Sequence, residues 1–358
     1  MAVTFQETHH KYQSLDPNEN IDWVSVTTVV NTFKQKFDPI KQSIKSSKNK
    51  HSKWYNIDPK KIQEIWIKES DRAIYEGSKY HMQRENDLLD INTLGRNNVQ
   101  IPIIKPIYDG LLKIAPIQKL AEGIYPEHLV YLKSAGLCGQ ADRVEVIKNT
   151  VDIYDYKTNK EIKKESFKNW EGITAKMESP LSHLDDCNFN HYALQLSIYM
   201  YIILKHNAQY KPGKLMLHHI VFKKSGEDEY GYPILQKDNQ ENHIIEKVVP
   251  YEVPYLKHEV LQIINKLKEK KNMKKLIEYE LVLENTRLKE DIGIESLEYA
   301  KCTFNIYDIV YYRESLGDGG VTEPYTVVGL IADIVLCLNV PYVEFSSMYN
   351  NTMEKDLI

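Results

Sequence analysis

The spacing of apolar residues divides the chain into a helical opening, a strand-rich middle and a β-rich end. Trp23 through Val30 is a short apolar run in which Ser25 or Thr27 can cap a following helix. A polar, lysine-rich stretch continues to Asn56, and from Asp58-Pro59 the apolar positions take a helical period. Ile62, Ile65, Trp66, Ala73, Ile74, Gly77, Tyr80 and His81 line one broad stripe, which predicts a helix as far as Leu89. A further helix is expected over residues 106–121. The texture then changes to short Val, Leu, Ile and Tyr-rich pieces over 127–134, 137–148 and 150–157, separated by turn residues and read as a three-strand meander. Residues 189–206 have helical length and a nearly all-apolar second half, as expected of a helix buried against that sheet. A strand over 214–223 and a helix over 255–286 complete an α/β unit.

Past Lys289 the pattern changes again. Residues 304–312, 325–331 and 341–345 are strand candidates, with Gly317-Asp318-Gly319-Gly320 as a turn. The reading is therefore a domain over 1–287 and a small all-β appendage, SH3-like in pattern, over 288–358. That appendage is a candidate surface for a protein partner.

Composition narrows the class. The 358 residues are 42% hydrophobic and 27% charged, with no apolar run long enough to span a membrane. The start, MAVTFQETHHKY, lacks the features of a signal peptide. Cys138, Cys187, Cys302 and Cys337 are scattered without CxxC spacing, which predicts neither a disulfide framework nor an iron-sulfur cluster. A cytoplasmic setting is expected. Net charge is −4, so any polyanion-binding surface must be local. Lysines cluster at 34–53, including Lys45, Lys48 and Lys50, and again at 266–275. Either cluster is a solvated face or a track for a phosphate backbone. The 25 tyrosines against 8 phenylalanines add candidate base-stacking groups, or reflect an AT-rich genome such as that of a bacteriophage.

The sharpest chemistry lies in Gly139-Gln140-Ala141-Asp142-Arg143 followed by Asp155-Tyr156-Lys157. Asp142 and Asp155 are 13 residues apart, enough for a strand, a turn and a return strand that bring both carboxylates to one sheet edge. Paired carboxylates suit Mg²⁺ or Mn²⁺. Lys157, two residues beyond Asp155 on a strand, points to the same face and can place a water and offset transition-state charge. Ala73, Gly77, His81 and Glu85 fall on one helix face, the small residues permitting close approach to the sheet. Gln195 and Tyr199 share a face of the buried helix.

These residues resemble the PD-(D/E)XK nuclease superfamily, and within it the RecB-like exonuclease branch. There a Gly-x-x-Asp strand precedes an Asp-x-Lys strand, as GQAD and DYK stand here. WIKESDRAIYEGSKYHMQRE is similar to the branch's helix with a metal-binding histidine. Gln195-Leu196-Ser197-Ile198-Tyr199 resembles its Gln-x-x-x-Tyr motif, and Pro126-Glu127 the glutamate that opens its sheet. The likeness covers residues 24–219. No four-cysteine cluster and no helicase phosphate-binding motif is present, so the chain resembles stand-alone phage and mitochondrial genome maintenance exonucleases. The resemblance implies a restriction-endonuclease-like core, a central mixed β-sheet flanked by helices. It implies one or two Mg²⁺ or Mn²⁺ ions held by His81, Asp142, Asp155 and the Tyr156 backbone carbonyl. Asp142, Asp155 and Lys157 would be catalytic with Glu127 and Gln195 in support, and Tyr199 and the lysines would face DNA. The expected activity is exonucleolytic cleavage at DNA ends, on single strands, in phage-type replication, recombination or repair. Its rivals are a structure-specific or restriction-type endonuclease and a non-catalytic DNA-binding accessory protein.

Overall fold

A computed structural model describes residues 3–6, 11–16, 18–19, 21–96, 99–115, 118–168, 172–271, 310–314 and 343–347. Two compact units emerge, Met1–Asn265 and Lys266–Ile358. In chain order the first holds β1 (Val3–Gln6), β2 (Lys11–Ser14), β3 (Val24–Ser25), α1 (Val26–Asn31), α2 (Pro39–Lys48) and α3 (Pro59–Leu89). There follow β4 (Thr93–Arg96), β5 (Val99–Pro102), β6 (Ile107–Asp109), β7 (Leu112–Ala115), β8 (Gly123–Leu132), β9 (Leu137–Ile147) and β10 (Thr150–Lys157). The unit continues with α4 (Asn188–His206), β11 (Lys211–Phe222), β12 (Lys224–Glu227), β13 (Pro233–Leu235) and β14 (Ile245–Glu252), before a helix that begins at 257.

The central sheet is mixed, in the order β14-β11-β10-β9-β3 with β8 also paired to β9. β10 runs parallel to β11, and β3 parallel to the start of β9, while the other pairs are antiparallel. Strands covered on both faces become continuously apolar. Accordingly Val144, Val146, Val151, Ile153 and Leu217 are all fully buried. α4 packs on β8 through β11 and buries Leu194, Leu196, Ile198, Met200 and Ile202. A second sheet, β2-β1-β7-β6, joins through Val3, Phe5 and Ala115 against Leu129, Tyr131 and Cys138.

Helix ends follow their caps. Ser25 caps α1, its hydroxyl accepting the Thr28 N–H at 3.0 Å. Asp58 caps α3 ahead of Pro59 at the first helical position. The same signal, Asp38 then Pro39, opens α2 inside the stretch read as merely polar.

Four expectations need correction. Residues 106–115 and 118–121 are not helical: Asp109-Gly110 turns the β6–β7 hairpin with Gly110 at φ +58°, and Ile107 pairs with Ile114 across it. The α3 stripe is only partly buried, since Ile62, Tyr80 and Leu88 are covered while Ala73 and Ile74 are exposed. The first strand of the meander, read from 127, starts at Gly123, so that Glu127 lies in mid-strand. Pro126 is accommodated there because, apart from a bridge between Ile124 and Ile103, β8 is laddered among the described residues to β9 alone. β14 and the β12–β13 hairpin carry no strong alternation and were not expected. The predicted helix over 255–286 is seen from 257 to 271, and its remainder lies outside the described residues. In the second unit β15 (Val310–Glu314) pairs antiparallel with β16 (Val343–Ser347), and the other predicted strands there lie outside the described residues. No helix among the described residues is long and apolar enough to cross a membrane.

Candidate metal and active site

The site forms where β10 parts from β9. The β9–β10 ladder ends at Tyr154 opposite Arg143. Continued by one residue, its register sets Asp155 opposite Asp142. In the β8–β9 ladder, Pro126 lies opposite Arg143 and His128 opposite Ala141, which sets Glu127 opposite Asp142 as well. Three carboxylates therefore stand in a row across three neighbouring strands, all with at most 9% of their surface exposed. Like charges placed this way repel, and burial removes the water that would screen them. The row calls for cations.

Two are supplied by the chain. His81 comes down from α3, which approaches closely because Gly77 sits over the end of β10, where a Cβ would be 3.2 Å from Thr158 Oγ1. Its Nδ1 is 3.3 Å from Asp142 Oδ2 and 3.9 Å from Glu127 Oε1, and its Nε2 donates to the Tyr156 carbonyl at 3.1 Å. With both ring nitrogens facing oxygens the imidazolium is favoured. Burial pushes its pKa down, yet Asp142 and Glu127 together outweigh this and hold it well above the ordinary histidine value. Lys157 is the second cation, its Nζ 2.6 Å from Asp155 Oδ2 and 4.6 Å from the centre of the Tyr192 ring.

Each carboxylate is held differently. Burial alone would raise Asp142, but His81, Lys157 and the Tyr156 N–H donating at 2.7 Å bring it below the usual range. Asp155 is pushed up to about 6 by burial and by Asp142, against the pull of Lys157. Glu127 is raised by burial and by Asp142, with His81 and Gln140 opposing. Its backbone has φ +44°, a left-handed conformation that costs a non-glycine residue of order 1–3 kcal/mol. The Gln140 amide donates to Glu127 Oε2 and fixes the side chain there.

His81, Glu127 and Asp142 offer ligand atoms that all lie within 4.8 Å of one another. The donor set fits a hard divalent cation. Three carboxylates less the one ammonium leave two negative charges, which one such ion balances with the imidazole neutral. The other expected ligands are placed less directly. Asp155 is turned to Lys157, and the Tyr156 carbonyl already accepts from His81. Glu85, one turn beyond His81, pairs with the buried Lys113 at 3.0 Å and not with the carboxylate row.

Gln195 donates to the Tyr199 hydroxyl at 3.1 Å and not to a carboxylate. Tyr199 is only 2% exposed, so it offers no face to a nucleic-acid base; it packs instead against Gly139, where a Cβ would come within 2.7 Å of the ring. This close approach explains the glycine in Gly-x-x-Asp. Lys45 and Lys48 are exposed in the last turn of α2, where the helix dipole favours cations, and Lys50 is exposed just beyond it. Sequence reasoning missed Gln140, whose signal was its place two residues before Asp142 on a strand. It also missed Tyr192, one turn before Gln195 on α4, and the pair His191–Asp186 at 2.5 Å.

Comparison with curated proteins finds no match. A solved structure described as the crystal structure of SSO0001 is similar at 13% identity over 71% of this chain and 78% of its own, with a TM-score of 0.24 that carries no argument. Residues 109–286, just under half the chain and including Glu127, Asp142, Asp155, Lys157 and Gln195, match the family model of the PD-(D/E)XK nuclease superfamily.

Proposed function

We propose that this chain is a divalent-metal-dependent deoxyribonuclease of the RecB-like type, an exonuclease that hydrolyses phosphodiester bonds at DNA ends and prefers single strands. Its setting would be phage-type replication, recombination or repair. The observation that carries the reading is the buried row Glu127–Asp142–Asp155 with His81 at one end and Lys157 at the other. Mg²⁺ or Mn²⁺ bound there would polarise the scissile phosphate and acidify a water. His81, Glu127 and Asp142 would hold the ion. Lys157, steadied by Asp155 and the Tyr192 ring, would orient the attacking water and offset the charge growing on the phosphate oxygens. Gln140 keeps Glu127 aimed at the site, and the tight Gly139–Tyr199 contact keeps β9 seated on α4.

Incubating the purified chain with end-labelled linear DNA and with a covalently closed single-stranded circle, in Mg²⁺, Mn²⁺ or EDTA, tests this. Metal-dependent loss of the linear strand with the circle intact is expected. Cleavage of the circle would make it an endonuclease, and no cleavage with either metal would defeat the nuclease reading.

A further inference from the structure

The turn after α1 presents a cation to the site by a route unrelated to the motif strands. Its backbone is pinned on both sides of Lys34. The Phe33 carbonyl accepts the Glu178 N–H at 2.8 Å, and the Gln35 N–H donates to Asp186 Oδ2 at 2.8 Å. The Gln35 amide also donates to the Lys176 carbonyl at 2.9 Å and to Glu178 Oε1 at 3.2 Å. Lys34 is therefore held, half-buried, against the loop that leads into α4.

Among the described residues the Lys34 side chain makes neither a hydrogen bond nor an ion pair. The one acid whose field it feels, Asp186, is already engaged by Gln35 and by His191. Its other neighbours in charge are cationic or titrate to cations. The Asp186 that holds the Gln35 N–H also holds His191, the chain neighbour of the Tyr192 ring that lies 4.6 Å from Lys157 Nζ, and both Lys157 and His191 share a field with Lys34. Burial and Lys157 together lower the Lys34 pKa from its ordinary value. A half-buried ammonium in the field of a second one, its nearby acid already engaged by other groups, is costly unless an anion arrives. Lys36, two residues on, is exposed by comparison.

We propose that Lys34 is a phosphate-holding residue, binding the backbone phosphate next to the scissile one on a nucleic-acid strand that enters past Lys157. The proposal rests on the nuclease reading for what Lys157 does, and on the pinned turn and the unpaired ammonium for Lys34 itself. Two neighbouring cations, one per phosphate, match a strand that carries one negative charge per nucleotide. Lys34 positions the strand and takes no part in bond breaking.

Three variants, Lys34→Ala, Lys34→Arg and Lys36→Ala, separate this from general electrostatics. Each is assayed with Mn²⁺ on single-stranded oligo(dT) and on thymidine 5′-p-nitrophenyl phosphate, which has one phosphodiester and no neighbouring phosphate. Lys34→Ala is expected to raise KM on the oligonucleotide about tenfold, the loss of one charge-assisted hydrogen bond. Its kinetics on the one-phosphate ester stay at the wild-type level. Lys34→Arg restores most of the loss, and Lys36→Ala changes little. Oligo(dT) binding measured in EDTA should lose about 0.7 from the slope of log K against log salt in Lys34→Ala alone. The proposal is overturned if Lys34→Ala matches Lys36→Ala, or if it falls equally on both substrates. Should the wild type cleave neither substrate, the nuclease reading fails, and the salt slope still decides for or against Lys34.

Discussion

Asp142 and Glu145 lie three residues apart on β9, both buried, and the protein treats them in opposite ways. Glu145 receives one guanidinium on each oxygen, from Arg96 and Arg143. Both arginines also engage Tyr154, Arg96 through the hydroxyl at 3.1 Å and Arg143 over the ring at 5.2 Å. That carboxylate is fully compensated and has nothing left to offer. Asp142 instead sits between two further carboxylates, with one imidazole and one ammonium to serve all three. Burial is the same in kind at both places, and the compensation differs. A buried carboxylate paired to saturation is structural, whereas a row left short of positive charge is a candidate place for an external cation.

The comparison is broken most sharply at Lys157. Lys157→Ala should lower metal-dependent cleavage by about 10³-fold in protein that still folds, well beyond any loss of stability from leaving Asp155 unpaired. A variant that cleaves normally would place the chemistry elsewhere. Glu145→Gln should do the reverse, destabilising the fold by about 3 kcal/mol in a denaturant titration, because it leaves buried guanidinium charge unbalanced. The figure is at the low end of the usual range since the Arg96 side chain is 43% exposed. Cleavage per folded molecule should be unchanged, and a loss of turnover in stable protein would erase the distinction.

A finer test concerns what steadies the row. Gln140→Leu removes the amide that holds Glu127, so metal affinity measured by calorimetry should fall about tenfold with little change in stability. Unaltered affinity would demote Gln140 to packing. The smallest effect lies away from both carboxylates, at Tyr255, whose hydroxyl is pushed up to about 12 by burial from the usual 10. A pKa raised in the folded state means that the unfolded chain loses its proton first. Stability should therefore fall modestly as pH rises from about 10 to 12. Tyr255→Phe should flatten that alkaline limb in chemical denaturation, and an unchanged limb would assign it to other tyrosines.

Much of the site was legible because its residues are close in sequence and sit on strongly patterned elements. Two adjacent strands separated by a short turn bring Asp142 and Asp155 into register whatever else the chain does. Alternation on β10 alone sends Lys157 to the side of Asp155. The helical stripe brings His81 to the carboxylate row although much of that stripe is exposed, since Gly77 and Tyr80 suffice to seat α3 on the sheet. The hairpin at 106–115 was misread because short segments of mixed polarity carry little period. What makes them strands is pairing between β7 and β1, over a hundred residues away in sequence.

By itself, then, the sequence determined the strand pair, the helix that carries His81, the buried helix α4 and the acid, base and metal-seeking residue types. These depend on local period, caps and turns, which act over a few residues. Tertiary structure alone decided how the charges are shared. It set Glu127 opposite Asp142, turned Asp155 to Lys157, buried Tyr199 against Gly139, gave Glu145 its two arginines and left Lys34 near an Asp186 already engaged by Gln35 and His191. The balance of buried charge is a property of neighbours in space, and no spacing along one chain records it.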